Sequence, residues 1–244
     1  MNIQQTEAIV LQTEDYGESD RLITFYAKLG GKLKGIAKGA RKSSKRFVNA
    51  FEPCSLVDLT YKASRSLAWI EACKLIEPYL ALRCDLQRWA GAALASEIML
   101  EMIAEGDPDP DLFFLLRDTL TRLAEGRDPK NILSLFLLRF LHTTGYLPAL
   151  EQCSVCQCPL QAAKQWSWNL PKGVLLCQRH RGAADGIPLD LGTLLLIRQS
   201  RGLPLEKIWR LHLLNDTKSL LFSSMLRWIS GQIKKDLKST KFFA

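Results

Sequence analysis

Lys32-Leu33-Lys34-Gly35-Ile36-Ala37-Lys38 decides how the first third of the chain is read. Lysines stand at even positions 32, 34 and 38, and Leu33, Gly35, Ala37 and Gly39 at odd ones. A pleated strand therefore sends the lysines to one face and the small apolar residues to the other. Working outward, the same short period recurs over Glu7 to Leu11, Arg21 to Tyr26, Ser55 to Tyr61 and Leu67 to Leu75, with turn residues between. Gly30-Gly31 marks the hairpin into the third strand, because tight primed turns need the positive φ that glycine accepts.

Five antiparallel strands in about 75 residues suit an OB-type barrel, and an SH3-like barrel fits the same count. The positive charge runs on past the third strand through Arg41, Lys42, Lys45 and Arg46, and no acidic residue occurs between Arg21 and Phe51 in a chain that holds 25. With a net charge of +8, this points to an anionic partner, nucleic acid first and a membrane surface second. Lys32, Lys34, Lys38, Arg41, Lys42, Lys45 and Arg46 are the candidate nucleic-acid-binding residues. Edge lysines that keep sheets from aggregating give the same pattern. Phe25, Tyr26, Phe47, Phe51, Tyr61 and Trp69 lie in the same module. A basic groove with ring faces holds single strands without sequence readout, although a small barrel fills its interior with most of its rings.

After Glu77-Pro78 the period becomes helical, which predicts one domain over 1–78 and a second over 79–244. Leu86, Ala90, Leu94 and Ile98 form one stripe, and Leu112, Leu115, Leu116, Leu120 and Leu123 another, separated by Gly106-Asp107-Pro108-Asp109-Pro110. The run Ile132 to Thr143 is apolar nearly all round, so Arg139 within it needs a partner. A last helix is expected from Asp216 as N-cap to about Leu237, with Leu221, Met225, Trp228, Ile229 and Ile233 inward and Lys218, Arg227, Lys234, Lys235 and Lys238 outward.

Cys153-Ser154-Val155-Cys156 and Cys177-Gln178-Arg179-His180 are two knuckles whose two-residue spacing lets both side chains reach one ion. Together they supply the four ligands of a closed tetrahedral zinc site, expected to be structural because no position is left for water. Cys158 is close enough in sequence to replace Cys156 or His180. The insertion spans about 150–183, and Trp166, Trp168 and Pro171 suggest a short hairpin within it. Three histidines without a His-Glu-x-x-His pattern, and glycines wrongly spaced for a phosphate loop, predict no catalysis. The start has no basic segment followed by an apolar one, and seven cysteines without an export signal point to a reducing, cytoplasmic setting.

Several motifs in one order carry a resemblance: Tyr16-Gly17-Glu18-Ser19-Asp20-Arg21-Leu22, Ala37-Lys38-Gly39-Ala40-Arg41-Lys42, Phe140-Leu141, and Gly145-Tyr146-Leu147-Pro148 running into Cys153. From about Thr6 to the 190s the chain resembles the RecO family of bacterial DNA repair and recombination mediators. The resemblance implies an α+β, multidomain fold: an N-terminal five-stranded OB-fold barrel that binds single- and double-stranded DNA, then an all-helical domain with a zinc-binding insertion. It also implies a non-enzymatic, nucleoid-associated protein, a monomer alone, which anneals complementary strands. Implied partners are RecR, the acidic C-terminal tail of single-stranded DNA-binding protein (SSB), and RecA, which replaces the SSB coat. Many zinc-binding members use four cysteines where His180 stands at the fourth position here, and some relatives lack the ligands. In Tyr16 to Leu22, Glu18, Asp20 and Arg21 form either a lock at the start of the second strand or a partner surface. The alternative is a zinc-ribbon RNA- or ribosome-binding factor; a metal-dependent nuclease is further off.

Overall fold

The computed structural model describes residues 3–43, 45–64, 67–147, 150–182 and 186–243; Pro148 of the fourth motif and Ala183 at the end of the expected insertion lie outside them. The chain forms two compact units, Met1–Arg127 with Leu237–Ala244, and Asp128–Asp236. The division by packing thus falls some fifty residues beyond the change of period at Pro78.

In the first unit the five expected strands are all present: β1 (Ile3–Tyr16), β2 (Asp20–Ala27), β3 (Gly31–Ala37), β4 (Leu56–Lys62) and β5 (Ala68–Glu77). They pair in the order β1-β2-β3-β5-β4, and β4 returns to β1, so the sheet closes into a barrel. The first strand is far longer than its alternation foretold because it serves both ends of the closure. Ile3 to Ile9 pair with β4 and Ala8 to Tyr16 with β2, with a register shift between Val10 and Gln12. The β3–β5 pairing is parallel and rests on Gly35↔Ala68 and Ile36↔Trp69. Gly35 leaves little room there: a Cβ would stand 2.7 Å from Ile70 Cδ1 and 3.1 Å from the Ala68 carbonyl, so a side chain would require Ile70 to shift.

Val10, Ile23, Phe25, Val57, Leu59, Tyr61 and Ile70 fill the interior, and Phe47, Ala50 and Phe51 from the segment after β3 join the same core. The helices α1 (Leu86–Met102) and α2 (Pro110–Ala124) belong to this unit as well. Ala90, Leu94 and Ile98 are buried as their spacing requires, but Leu86 at the head of that stripe is 65% exposed. Every member of the α2 stripe is buried. Asp109 caps α2 by accepting the Asp111 and Leu112 N–H groups, with Pro110 in the first turn, where its missing N–H costs nothing. The connection between the helices presses on β3. Gly31 has φ 63°, and a Cβ there would meet the Asp107 carbonyl at 2.4 Å. A final 3-10 turn, Lys238–Phe242, is tied to α1 by Glu97, which accepts the Lys238 and Ser239 N–H groups.

Outside the expected insertion the second unit is not wholly helical, because a strand at Ile187–Asp190 lies beyond it, which corrects the sequence expectation. Besides α3 (Pro129–Thr143), α4 (Leu191–Gly202), the single turn α5 (Leu205–Ile208) and α6 (Asn215–Ile233), it contains β6 (Gln165–Asn169), β7 (Val174–Cys177) and β8 (Ile187–Asp190). The expected hairpin is β6–β7, and β8 adds to the other side of β6. Pro188 argues against a strand in sequence, yet β8 is an edge strand and Pro188 is exposed on it, where no ladder donor is needed.

Arg139 finds its partner in the end of a helix: its Nη1 donates to the carbonyls of Ser200, Arg201 and Leu203. These are carbonyls at the C-terminal end of α4, where the helix dipole favours a cation. Three expectations for the last helix fail. Asp216 lies inside its first turn rather than capping it, and the helix stops at Ile233 where Lys234 takes a left-handed conformation. Lys218 does not face outward; it is buried and pairs with Asp128.

Asp128 also caps α3 by accepting the Asn131 N–H at 3.1 Å. Burial alone would raise its carboxyl, but the Lys218 ammonium and the Asn131 N–H hold it below the usual carboxylate range. Asp128→Asn keeps a capping oxygen and removes the charge facing Lys218. It should lower stability at neutral pH by about 1–2 kcal/mol, an ion-pair loss discounted for the solvent access of the carboxyl. A carboxyl held down only in the folded state stabilises above its unfolded pKa, so urea melts should show the gap between variant and parent closing as the pH falls below about 4.

Candidate nucleic-acid interface and metal centre

The pleat of β3 divides its residues as the alternation requires. Gly31, Gly35 and Ala37 are buried and Leu33 packs on the interior cluster, while Lys34 and Lys38 stand on the outer side. Lys32 is on that outer side too but is not available to a ligand. Its ammonium donates to the Leu100 carbonyl of α1 at 2.6 Å, and burial pushes it below the usual lysine range against the pull of Glu105 and Glu101. The reason lies in the partner strand: Tyr26, directly opposite Lys32, is buried and donates its hydroxyl to the Asp109 carbonyl at the head of α2. The two helices thus cover this end of the β2–β3 face, and Lys32 is withdrawn from the expected DNA-binding set.

Lys38, Arg41, Lys42, Lys45 and Arg46 are exposed along the segment that follows β3. That segment is well anchored from beneath. The Arg41 N–H donates to the Ser19 carbonyl at 3.0 Å, Cys73 N–H donates to the Arg46 carbonyl at 3.2 Å, and Phe47 and Phe51 are sunk in the barrel core with ring centroids 5.1 Å apart. Arg46 donates to the Lys38 carbonyl at 3.0 Å, so the loop holds its own cations together. Two of the cations face acidic side chains across solvent, Lys34 towards Glu14 at 4.0 Å and Arg41 towards Asp15 at 3.7 Å. Pairs this exposed are worth at most about 1 kcal/mol, little enough for a phosphate to displace.

The motif Tyr16 to Leu22 makes the lock. Asp20 accepts the Gly39 N–H at 2.8 Å and the Ser19 hydroxyl at 3.0 Å, and the Gly39 hydrogen bond, more than the Ser19 one, holds its carboxyl below the ordinary range. Gly39 has φ 67°, so the carboxylate fixes the left-handed turn that starts the basic segment. Arg21 pairs with Asp15 at 3.6 Å. Glu18, expected in the same lock, contributes no hydrogen bond or ion pair among the described residues.

Of the six rings noted in this module, Phe25, Tyr26, Phe47, Phe51 and Tyr61 are buried and Trp69 is 41% exposed. Trp69 lies on the outer face of β5, opposite Ile36 and Lys62, with the Lys38 ammonium 4.6 Å from its ring centre. Lys62 lies outside the expected basic set, although the alternation of β4, with Asp58, Thr60 and Lys62 on the less buried side, marks it as outward.

In the second unit the two knuckles meet. Cys153, Cys156, Cys177 and His180 bring one ligand atom each within 4.8 Å of all the others. The Cys156 and Cys177 sulfurs are 3.8 Å apart, and His180 Nδ1 is 3.7 Å from Cys153 Sγ and 3.4 Å from Cys177 Sγ. A tetrahedron with about 2.3 Å metal–sulfur and about 2.1 Å metal–nitrogen bonds has edges of about 3.8 and 3.6 Å, so the donor set fits a four-coordinate ion. Backbone shapes both knuckles: Gln157 turns left-handed after Cys156, the His180 N–H donates to the Cys177 carbonyl, and the Cys177 N–H donates to Cys153 Sγ at 3.4 Å.

Burial pushes the Cys153 thiol up, but the N–H groups of Cys156, Cys177 and Val155 outweigh it and bring it down to about 6, the range of a ready thiolate ligand. Cys158, the expected rival, stays outside the four; burial and the neighbouring Cys156 and Cys177 push its thiol up to about 12. Among the described residues no helix is long and apolar enough to cross a membrane.

Two family models match the chain, Recombination protein O N terminal over residues 1–79 and Recombination protein O C terminal over residues 83–241. The chain is 53% identical over 242 residues to a DNA repair protein RecO of Syntrophobacter fumaroxidans, covering 99% of this chain and 97% of that one. It is 36% identical to the namesake from Syntrophus aciditrophicus, over 97% and 93% of the two chains, and 30% to that from Pelotomaculum thermopropionicum, over 99% and 94%. Matches of this extent, on a basic barrel and a Cys/His cluster found independently, establish that the chain belongs to the RecO family of DNA repair proteins.

Proposed function

We propose that this chain is a DNA-binding recombination mediator without catalytic chemistry. It anneals complementary single strands and, with RecR, helps RecA replace SSB, whose acidic C-terminal tail docks on the helical part of a monomeric chain. Residues 1–78 act as the nucleic-acid-binding module, an OB-fold by its five strands in Greek-key order, and 79–244 as the helical domain with the metal clip about 150–183. The observation that carries the reading is the outward basic run Lys34, Lys38, Arg41, Lys42, Lys45 and Arg46 on a closed barrel whose opposite strand face is apolar.

These cations neutralise phosphates of two strands at once, which lowers the repulsion between the strands and leaves base edges free to pair. The rigid footing beneath the loop matters because cations already held together lose little freedom on binding. In the second unit Cys153, Cys156, Cys177 and His180 would hold Zn2+, which supplies a structural cross-link between the segment before β6 and the end of β7.

The direct test is ATP-free annealing of donor- and acceptor-labelled complementary oligonucleotides precoated with SSB. Addition of the protein should speed the gain in energy transfer; tight DNA binding with no acceleration would replace the mediator reading with that of a plain nucleic-acid-binding module and bring the RNA-binding alternative forward. Replacing Lys34, Lys38 and Arg41 together with glutamate should weaken single-strand binding at least tenfold at low salt, and six phosphate contacts should give the parent a log–log salt slope of about −4. Unchanged affinity would remove the assignment. Purified protein should contain one zinc per chain by atomic absorption, and His180→Ala should lower metal content and thermal stability while DNA affinity stays near that of the parent. Loss of DNA binding along with the metal would make the clip part of the interface.

A further inference from the structure

We propose that Trp69 is the platform on which this site stacks an unpaired base, and that the ring gives the basic face its preference for single strands over duplex. The inference rests on the DNA-binding reading above and adds a contact that phosphates alone do not supply.

Five of the six rings of the module are buried, and the largest of the six is the one left out. An indole on the outside of a barrel forgoes the burial that stabilises its neighbours, so its position is understandable if another flat apolar surface covers it. Its surroundings say what kind. Trp69 sits at the parallel β3–β5 seam, with Lys62 opposite on β4 and the Lys38 ammonium over its face at 4.6 Å. An apolar protein partner would have to strip the Lys38 ammonium of water, whereas a nucleotide brings a ring for the indole and a phosphate for that ammonium, Lys62 being already paired with Glu71 at 2.9 Å.

Lys38 makes the exchange possible. In the free protein its ammonium rests on the ring; an arriving base takes the ring face, and the ammonium swings to the phosphate of the same nucleotide. A paired base keeps both its faces within its own stack and cannot reach the indole. Duplex therefore retains the phosphate contacts alone, and a strand that has just found its complement is held less tightly than the strand that arrived.

The test measures the anisotropy of labelled oligo-dT, an abasic deoxyribose-phosphate chain of the same length, and a duplex, against the parent, Trp69→Ala, Trp69→Phe and the triple glutamate variant. Trp69→Ala should weaken oligo-dT about tenfold and leave the abasic chain and the duplex within about twofold, with Trp69→Phe retaining most of the affinity. An unchanged oligo-dT affinity in Trp69→Ala, or an equal loss on all three ligands, would overturn the stacking role. The triple glutamate variant separates the two readings. If it loses all three ligands while Trp69→Ala loses none, the phosphate face stands and the platform falls; if it loses none, the interface itself is elsewhere.

Discussion

At Gly35 the barrel closes on a missing side chain. β3 and β5 pair over two residues only, and Ile70 enters the space that a Cβ would occupy. Short parallel junctions have few hydrogen bonds to spare, so close backbone approach carries more of the closure here than in the long antiparallel pairs. The orientation of β3 follows from it. With Gly35 and Ala37 turned inward, Lys34 and Lys38 have nowhere to go but out. The basic face and the fit of the interior are thus one constraint seen from two sides.

A second division is made by the helices of the same unit. They cover the end of the β2–β3 face nearest the hairpin, engage Lys32 with a carbonyl and bury Tyr26, and leave uncovered the end that continues into the anchored loop. Cations that are alike in sequence therefore differ in kind: one stabilises the packing of α1, and the others stand in water on a frame of backbone hydrogen bonds. The Asp20 carboxylate joins the two halves of that frame, holding the turn at Gly39 from the start of β2.

The legible parts of the sequence were the local ones. Alternation fixes which way a strand residue points, and all five barrel strands emerge from it; two-residue spacing fixes whether two side chains can reach one point, and the cluster is made of the two expected pairs, Cys153 with Cys156 and Cys177 with His180. What escaped was set by distant residues. The length of β1 depends on pairing with two strands at once, the burial of Lys218 on Asp128 ninety positions away, and the engagement of Lys32 on a carbonyl of α1. β8 was hidden by Pro188, which only an edge position tolerates. Among six rings, sequence could not choose the exposed one, because a barrel interior and a binding face are both aromatic.

The tie between Glu97 and the turn at Lys238 and Ser239 places the last described residues with the first unit, so the second unit is an insertion entered at Asp128 and left at Asp236. During synthesis the ribosome must therefore emit all of the second unit before the strap that finishes the first exists. The barrel and its helices exist for a time without the turn at Lys238 that packs on α1, and damage to that turn would injure the first unit rather than the helices that precede the turn in sequence.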